Sequence, residues 1–252
     1  MGESELLVVG PALAVAVVVA VAAAAGVSAL GRLGHGLAVL RAGGRAVLQL
    51  GAVSFLIAAV VSSGPLTLGF VAVMLTVASL TAGRRITSAR WRPLWAFLPV
   101  CLPIVPVVVA LLLTGLTPVS GLAVIPLTGI LTGGALTATV LAGRRATEEL
   151  RTRRGEVEAA LSLGLSPRDA ALEIGRPAAA SALLPALDQT RTVGLVTLPG
   201  AFVGMLLGGA TPFEAGAVQV FVLAGLLLVE SLAIVLTVEL VACGALPVPE
   251  RE

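Results

Sequence analysis

The sequence predicts an all-α integral membrane protein of about seven transmembrane helices, and three observations carry that prediction. Of the 252 residues, 58% are hydrophobic and 12% charged, with a mean hydropathy of +1.07. A soluble domain keeps about a quarter of its residues charged to cover its surface. The apolar residues come in unbroken runs near the ~20 residues a helix needs to cross the hydrocarbon core, without the alternation of barrel strands. Arginines fall in every second connection between runs.

The runs are 6–30, 46–62, 65–83, 94–116, 119–142, 183–208 and 215–243, the second being the shortest. Arg32, Arg41 and Arg45 separate the first from the second, and Arg84, Arg85, Arg90 and Arg92 the third from the fourth. Arg144, Arg145, Arg151, Arg153, Arg154, Arg168 and Arg176 separate the fifth from the sixth, while "SSGPLT", "TGLTPVS" and "GGATPFEAG" contain no arginine. Basic loops stay in the cytoplasm. The N-terminus is therefore expected outside and the C-terminal "PVPERE" inside, which requires an odd number of spans. The acidic start "MGESE" lacks the basic region of a secretory signal. Pro99, Pro103 and Pro106 in the fourth run predict a kinked helix, which either packs or lines a path.

Composition excludes some chemistry. All sixteen basic residues are arginine, so the lysine of a P-loop is absent and ATP hydrolysis by that route is excluded for this chain. Cys101 and Cys243 lie far apart in apolar runs and read as small core residues; with a single histidine they form no soft-metal cluster. The chain is expected to bind no cofactor of its own.

The polar stretch 143–180 is the exception to this apolar pattern. Val157, Ala160, Leu161 and Gly164 fall on one helical face. Gly164 suits a helix end, Ser166 an N-cap, Pro167 the first helical position and Asp169 the third. The expectation is a helix, a tight turn at 164–165, and a second helix running toward Pro177. Three readings compete: a solvated connector, a DNA-binding helix-turn-helix, and a docking element. Seven arginines against six acids leave a charge of about +1, a poor footprint for phosphates, and no nucleic-acid partner is expected. Small residues, by contrast, let another protein surface approach a short helix closely.

Within the membrane runs, Asp188 and Arg191 at i, i+3 predict either an ion pair on one helix face or the lining of an inward-open cavity. Gly194, Pro199 and Gly200 interrupt the sixth run about midway. Such breaks occur at transporter substrate sites, while glycines also serve close helix packing. Glu230 lies near the middle of the seventh run. A carboxylate there must face a cavity or a partner, and either stays protonated or serves as a cation and proton site. Glu239 is expected to snorkel to the interface. Gln49, Gln189 and Gln219 are candidates for hydrogen bonds between helices, and "GILTGGALTA" for close helix packing.

"EAALSLGLSPRDAALEIGRP" resembles the EAA loop of ABC-transporter membrane subunits: Glu158, Ala159, Ala160, Gly164, Ile174 and Pro177 match in register, and Arg176 stands where that loop usually has leucine. The stretch 183–220 is similar to the FetB/YbbM permeases, a family of bacterial iron exporters related to plant aluminium-tolerance permeases. Pro185, 193–196, 198–200, Gly204, Pro212, Glu214, Ala215 and Gln219 carry the likeness, with further matches around Gln49, Pro126 and Gly129. Ala201 and Phe202 replace a methionine pair common in bacterial relatives, which removes a soft ligand at that point.

The resemblance implies one permease domain over 1–252 in the inner (plasma) membrane, with a cytoplasmic coupling loop at 143–180. It implies a homodimer in a two-permease, two-ATPase complex, ATP bound by the partner subunit, and export of a metal ion such as iron. Glu158, Ala159, Ala160, Gly164, Ile174 and Pro177 would dock the ATPase. Asp188, Arg191, Gly194, Pro199, Gly200 and Glu230 would line the transport path. A secondary transporter driven by a proton or cation gradient, and a non-transporting membrane scaffold, remain the competing classes.

Overall fold

A computed structural model describes residues 10–87, 92–114 and 120–246. The described residues form helices and short connections, with no strand among them; an isolated bridge joins Val193 and Thr197. They fall into two compact units, one ending at Val60 and one beginning at Val61.

The first unit is an antiparallel helical hairpin, α1 (Pro11–Leu30) and α2 (Gly36–Val61). Gly36 sits against Ala25 and Ala29, and Gly43 against Val21, so the α2 partners run backward along α1. The turn places Arg32 and Gly34 at positive φ, and Leu33 N–H closes it by donating to the Ser28 carbonyl. The second span begins well before the expected residue 46. Arg41 and Arg45 therefore belong to the opening turns of α2 and not to a loop. Arginine is a good helix former, and its long side chain can reach the interface from inside a helix.

The second unit contains α3 (Gly64–Ile86), a 3₁₀ turn (Arg92–Ala96), α4 (Phe97–Cys101), α5 (Ile104–Leu113), α6 (Gly121–Thr152), α7 (Arg154–Ser162), α8 (Pro167–Ala180), a second 3₁₀ turn (Ser181–Leu183), α9 (Leu184–Thr192), α10 (Gly200–Leu207) and α11 (Pro212–Ala242). Six segments of the two units are long and apolar enough to cross a membrane. The sixth expected run is not among them, because its helix breaks after Thr192 and resumes at Gly200.

Three helices run parallel, and this restores the seventh crossing. Gly129 and Gly143 on α6 face Met74 and Ile86 on α3, in the same order along both chains. Leu131 and Gly134 on α6 meet Gly225 and Glu230 on α11, again in the same order. Since α6 and α11 point the same way, the chain between them must cross back. It does so through α9 and α10: α9 shares a cavity with Leu226 and Glu230, and α10 shares another with Val218 and Val222, centred about 12 Å away at ~1.5 Å per residue. The fourth span likewise returns as α4 and α5, broken at Leu102 and Pro103. Pro99 and Pro103 are packed in the core, so these prolines shape a packing helix, while Pro106 is exposed.

Apolar side chains have no reason to leave lipid for one another, so packing here relies on close backbone approach through small residues. Ala78, Ala82, Ala96 and Ala135 are buried with Val100, Leu131 and Val229 in one cluster; Ala138, Ala142, Ala146 and Ala233 are buried with Leu172 and Val238 in another. The arginine-bearing ends meet at the second cluster. Arg144 donates from Nε to the Arg85 carbonyl at 3.0 Å, and Arg92 donates to the Gly244 carbonyl at 2.5 Å. The ends of α3, α6 and α11 therefore lie on one side, as the alternation of arginines requires. Arg90, residues 115–119, "MGESE" and the whole of "PVPERE" lie outside the described residues.

At Gly83 a Cβ would collide with the Pro93 backbone, which cannot rotate away. Gly83→Ala is expected to cost about 1–3 kcal/mol and to lower the thermal midpoint in detergent. Gly129→Ala meets only the mobile end of Met74, and the midpoint should stay close to wild type.

Candidate functional site

Two features are built from the polar residues singled out above. One is the hairpin α7–α8 at the arginine-bearing end. The other is a cavity around Glu230.

The hairpin forms as its local sequence dictates. Gly164 has a φ of +94°, and Leu165 N–H donates to the Ala160 carbonyl at 3.2 Å, which ends α7 with a left-handed turn. Ser166 caps α8, accepting from Asp169 N–H at 3.1 Å, with Pro167 opening the helix. The helix does not stop at Pro177 but runs on to Ala180, with that proline inside it.

The expected docking residues divide between two surroundings. Glu158, Ala159, Gly164 and Pro177 are exposed and Ala160 is half-buried. Ile174 is buried, as are Ala170 and Leu172, on the helix that packs against α6 and α11, where Leu172 and Ala179 join a core cluster with Ala146 and Val238. Glu158 accepts from Arg154 at 3.0 Å. Arg153 donates to Glu156 and holds its carboxyl below the usual carboxylate range. That support is present near neutral pH and is lost as pH falls through the lowered value. The hairpin tip presents Leu163, 83% exposed, between Leu161 and Leu165. These leucines flank Gly164 and stand outside the apolar runs.

A second anchor was not expected from the sequence. Arg168 on α8 donates from Nη2 at 2.7 Å and from Nε at 3.0 Å to the same oxygen, Oε2, of Glu239 on α11, so Glu239 is held in a doubly hydrogen-bonded ion pair rather than snorkelling alone. Charge spacing could not reveal a pair 71 residues apart. Glu239 lies nine residues beyond Glu230 on the same helix, about 14 Å along its axis.

Glu230 is 7% exposed and lines a cavity of about 300 Å³ between α6, α9 and α11. Gln189, Thr137, Gly133 and Gly134 line it too. Gly134 leaves the room these side chains occupy: a Cβ there would lie 2.7 Å from Glu230 Oε1 and would collide with Leu226. The candidates for hydrogen bonding between helices separate here, since Gln189 faces the cavity and Gln219 is buried on α11.

Of the other expected path residues, Asp188 and Arg191 form the i, i+3 ion pair at 3.7 Å, with both side chains exposed. Gly194 has a φ of +84° and its N–H donates to the Thr197 carbonyl at 2.9 Å, closing a small loop at the break. Pro199 precedes α10 and Gly200 is its first residue. Gly200 lines a second, apolar cavity of about 840 Å³, beside Gly204 and Met205. The structure thus brings Glu230 together with Gln189, and not with Asp188 or Arg191. No group of three or more His, Cys, Asp or Glu suited to a metal ion occurs among the described residues.

If the Arg168–Glu239 pair holds α8 to α11, Glu239→Gln and Arg168→Ala should each raise amide hydrogen exchange in α8 about two- to threefold, the scale of a half-exposed pair. The double variant should exchange no faster than either single one.

Comparison with known proteins agrees with this architecture. The family model described as uncharacterised protein family UPF0014 matches residues 11–244. The chain is 36% identical over 219 residues to the UPF0014 membrane protein STAR2 of Oryza sativa, covering 84% of this chain and 74% of that one. It is 34% identical over 182 residues to Protein ALUMINUM SENSITIVE 3 of Arabidopsis thaliana, 71% of this chain and 66% of that one. It is 28% identical over 195 residues to the probable iron export permease protein FetB of Escherichia coli, 77% of this chain and 75% of that one. No solved structure matches. With a family model spanning nearly all the described helices, the chain belongs to the UPF0014 family of multi-pass membrane proteins.

Proposed function

We propose that this protein is the membrane subunit of an ABC transporter in the inner (plasma) membrane that exports a metal ion, iron being the best candidate. The observation that carries the reading is the α7–α8 hairpin. It offers small residues and three leucines at an exposed tip, and is anchored by Leu172 and Arg168 to helices long and apolar enough to cross the membrane. A solvated connector needs neither an apolar tip nor two anchors. With no lysine in the chain, the ATP must be bound by a separate subunit. Two copies would pair with two ATPases, with the N-terminus outside and the hairpin in the cytoplasm.

On this reading ATP binding moves the hairpin as a lever. Glu158, Ala159, Ala160, Gly164 and Pro177 meet the ATPase, and α8 passes the displacement to α6 and α11. Re-packing of those helices against α9 and α10 alternates access to the path. Asp188, Arg191, Gly194, Pro199, Gly200 and Glu230 are assigned to that path, with Gly194 and Pro199 allowing the break in the sixth span to flex. Iron as cargo is taken from the similarity to FetB.

The buried carboxylate favours one other reading, a secondary transporter driven by an ion gradient. Transport into proteoliposomes decides between them: export on a gradient with no ATPase present would reject the ABC reading.

Gly164→Arg adds a bulky side chain at positive φ on the docking tip. It should abolish permease-stimulated ATPase activity and metal export while membrane insertion stays normal, and unchanged coupling would reject the docking role. Cells carrying the wild-type pair should accumulate less iron than cells lacking it.

A further inference from the structure

We infer that the Glu230 cavity is a station for a partly hydrated, oxygen-preferring cation on the transport path, with Gly134 setting the space between carboxylate and helix. The inference rests on the transport reading and deepens it by naming the class of cargo.

The donor set points to oxygen chemistry. The side chains that line the cavity include no Cys, Met or His, and their possible ligand atoms are the Glu230 carboxylate, the Gln189 amide oxygen and the Thr137 hydroxyl. Thr137 donates its proton to the Gly133 carbonyl at 2.9 Å, which leaves the hydroxyl oxygen's lone pairs free to accept. Oxygen-only sites suit hard cations, whereas soft ions want thiolate or thioether.

The charge balance points the same way. Glu230 is the single ionisable residue in the lining, and no hydrogen bond or ion pair holds it among the described residues. Arg191, on the neighbouring helix, is engaged with Asp188 instead. A buried carboxylate with no cationic side chain beside it attracts a cation into the cavity. One carboxylate cannot fully neutralise a divalent ion or replace its whole coordination shell, so the ion keeps water. About 300 Å³ holds roughly ten waters at about 30 Å³ each, enough for a partly hydrated ion. Such a weak site lets the ion leave again, as conduction requires.

Gly134 is the positioning residue. Any side chain there would enter the space of Glu230 Oε1 and Leu226. The carboxylate would then have to leave its place between α6 and α11.

The test uses the full chain in lipid nanodiscs with Mn2+ as the probe, bound ion being read by loss of the free-ion EPR signal. Wild type should bind one Mn2+ per chain, with Mg2+ competing. Glu230→Gln should weaken binding tenfold or more and Gly134→Ala several-fold. Glu230→Asp should retain part of it, and Glu149→Gln, on the surface at the arginine-bearing end, should bind as wild type. Absence of Mn2+ binding to wild type, or equal binding by Glu230→Gln eluting as a monodisperse protein, would overturn the site. Displacement by Cd2+ a hundredfold better than by Mg2+ would overturn its oxygen-only character. Because no ATPase is present, these outcomes separate from the transport reading. Glu230-dependent binding without ATP-driven export would sink transport alone, and ATP-driven export by Glu230→Gln would sink the site alone.

Discussion

The close, parallel approach of α6 and α11 is the constraint on which the second unit depends. Water drives no association between apolar helices inside a bilayer, so contact distance must supply the attraction. Gly134 removes the side chain that would push Leu226 and Glu230 of α11 away from α6, Gly225 makes the same room for Val107 of α5, and buried alanines extend the seam to the arginine-bearing end. α3 packs on α6 through Gly143, and α8 lies across the ends of both long helices. Widening this seam would displace the cavity and the anchor of the hairpin together.

The two long helices also carry buried polar groups that a membrane helix cannot carry without reason. Thr128, Thr132 and Thr139 on α6 and Gln219 and Glu230 on α11 are buried. Oxygens of the three threonines and of Gln219 have no hydrogen-bond partner among the described residues. A polar atom left unpaired in an apolar medium is costly. A helix pair carrying a row of them is better suited to a second conformation, or to a passing ion or water, than to permanent static packing. This view joins the proposed cargo station to the proposed lever, since Glu230 and Glu239 occupy one helix and the latter is clasped by the hairpin.

Much of the architecture was legible in the sequence because membrane burial is a strong and simple filter. The apolar runs located the spans, and the arginines sorted their ends. The caps at Gly164, Ser166 and Pro167 followed from local backbone chemistry and appear where expected. The misplacements have local causes. Arg41 and Arg45 end a hydropathy run because they are charged, but charge does not end a helix, and both lie in α2. A proline suggests a helix end near Pro177, yet α8 continues through it to Ala180, packed against α6 and α11. The break in the sixth run was visible as Gly194, Pro199 and Gly200, but its extent over 193–199 was not.

By itself, then, the sequence determined what one residue and its neighbours can decide: an all-α membrane protein, its crossings numbering about seven, the charged hairpin, and a carboxylate stranded in an apolar helix. Tertiary structure decided which of these meet. It placed Gln189, and not the Asp188–Arg191 pair, in the cavity with Glu230. It turned Ile174 inward and left Leu163 outward. It joined Arg168 to Glu239 and chose Gly134 among many glycines as the residue that admits the carboxylate. The physical reason is one of range: hydropathy and backbone propensity act over a few residues, while contacts between helices join positions dozens of residues apart and depend on how far each pair of backbones can close.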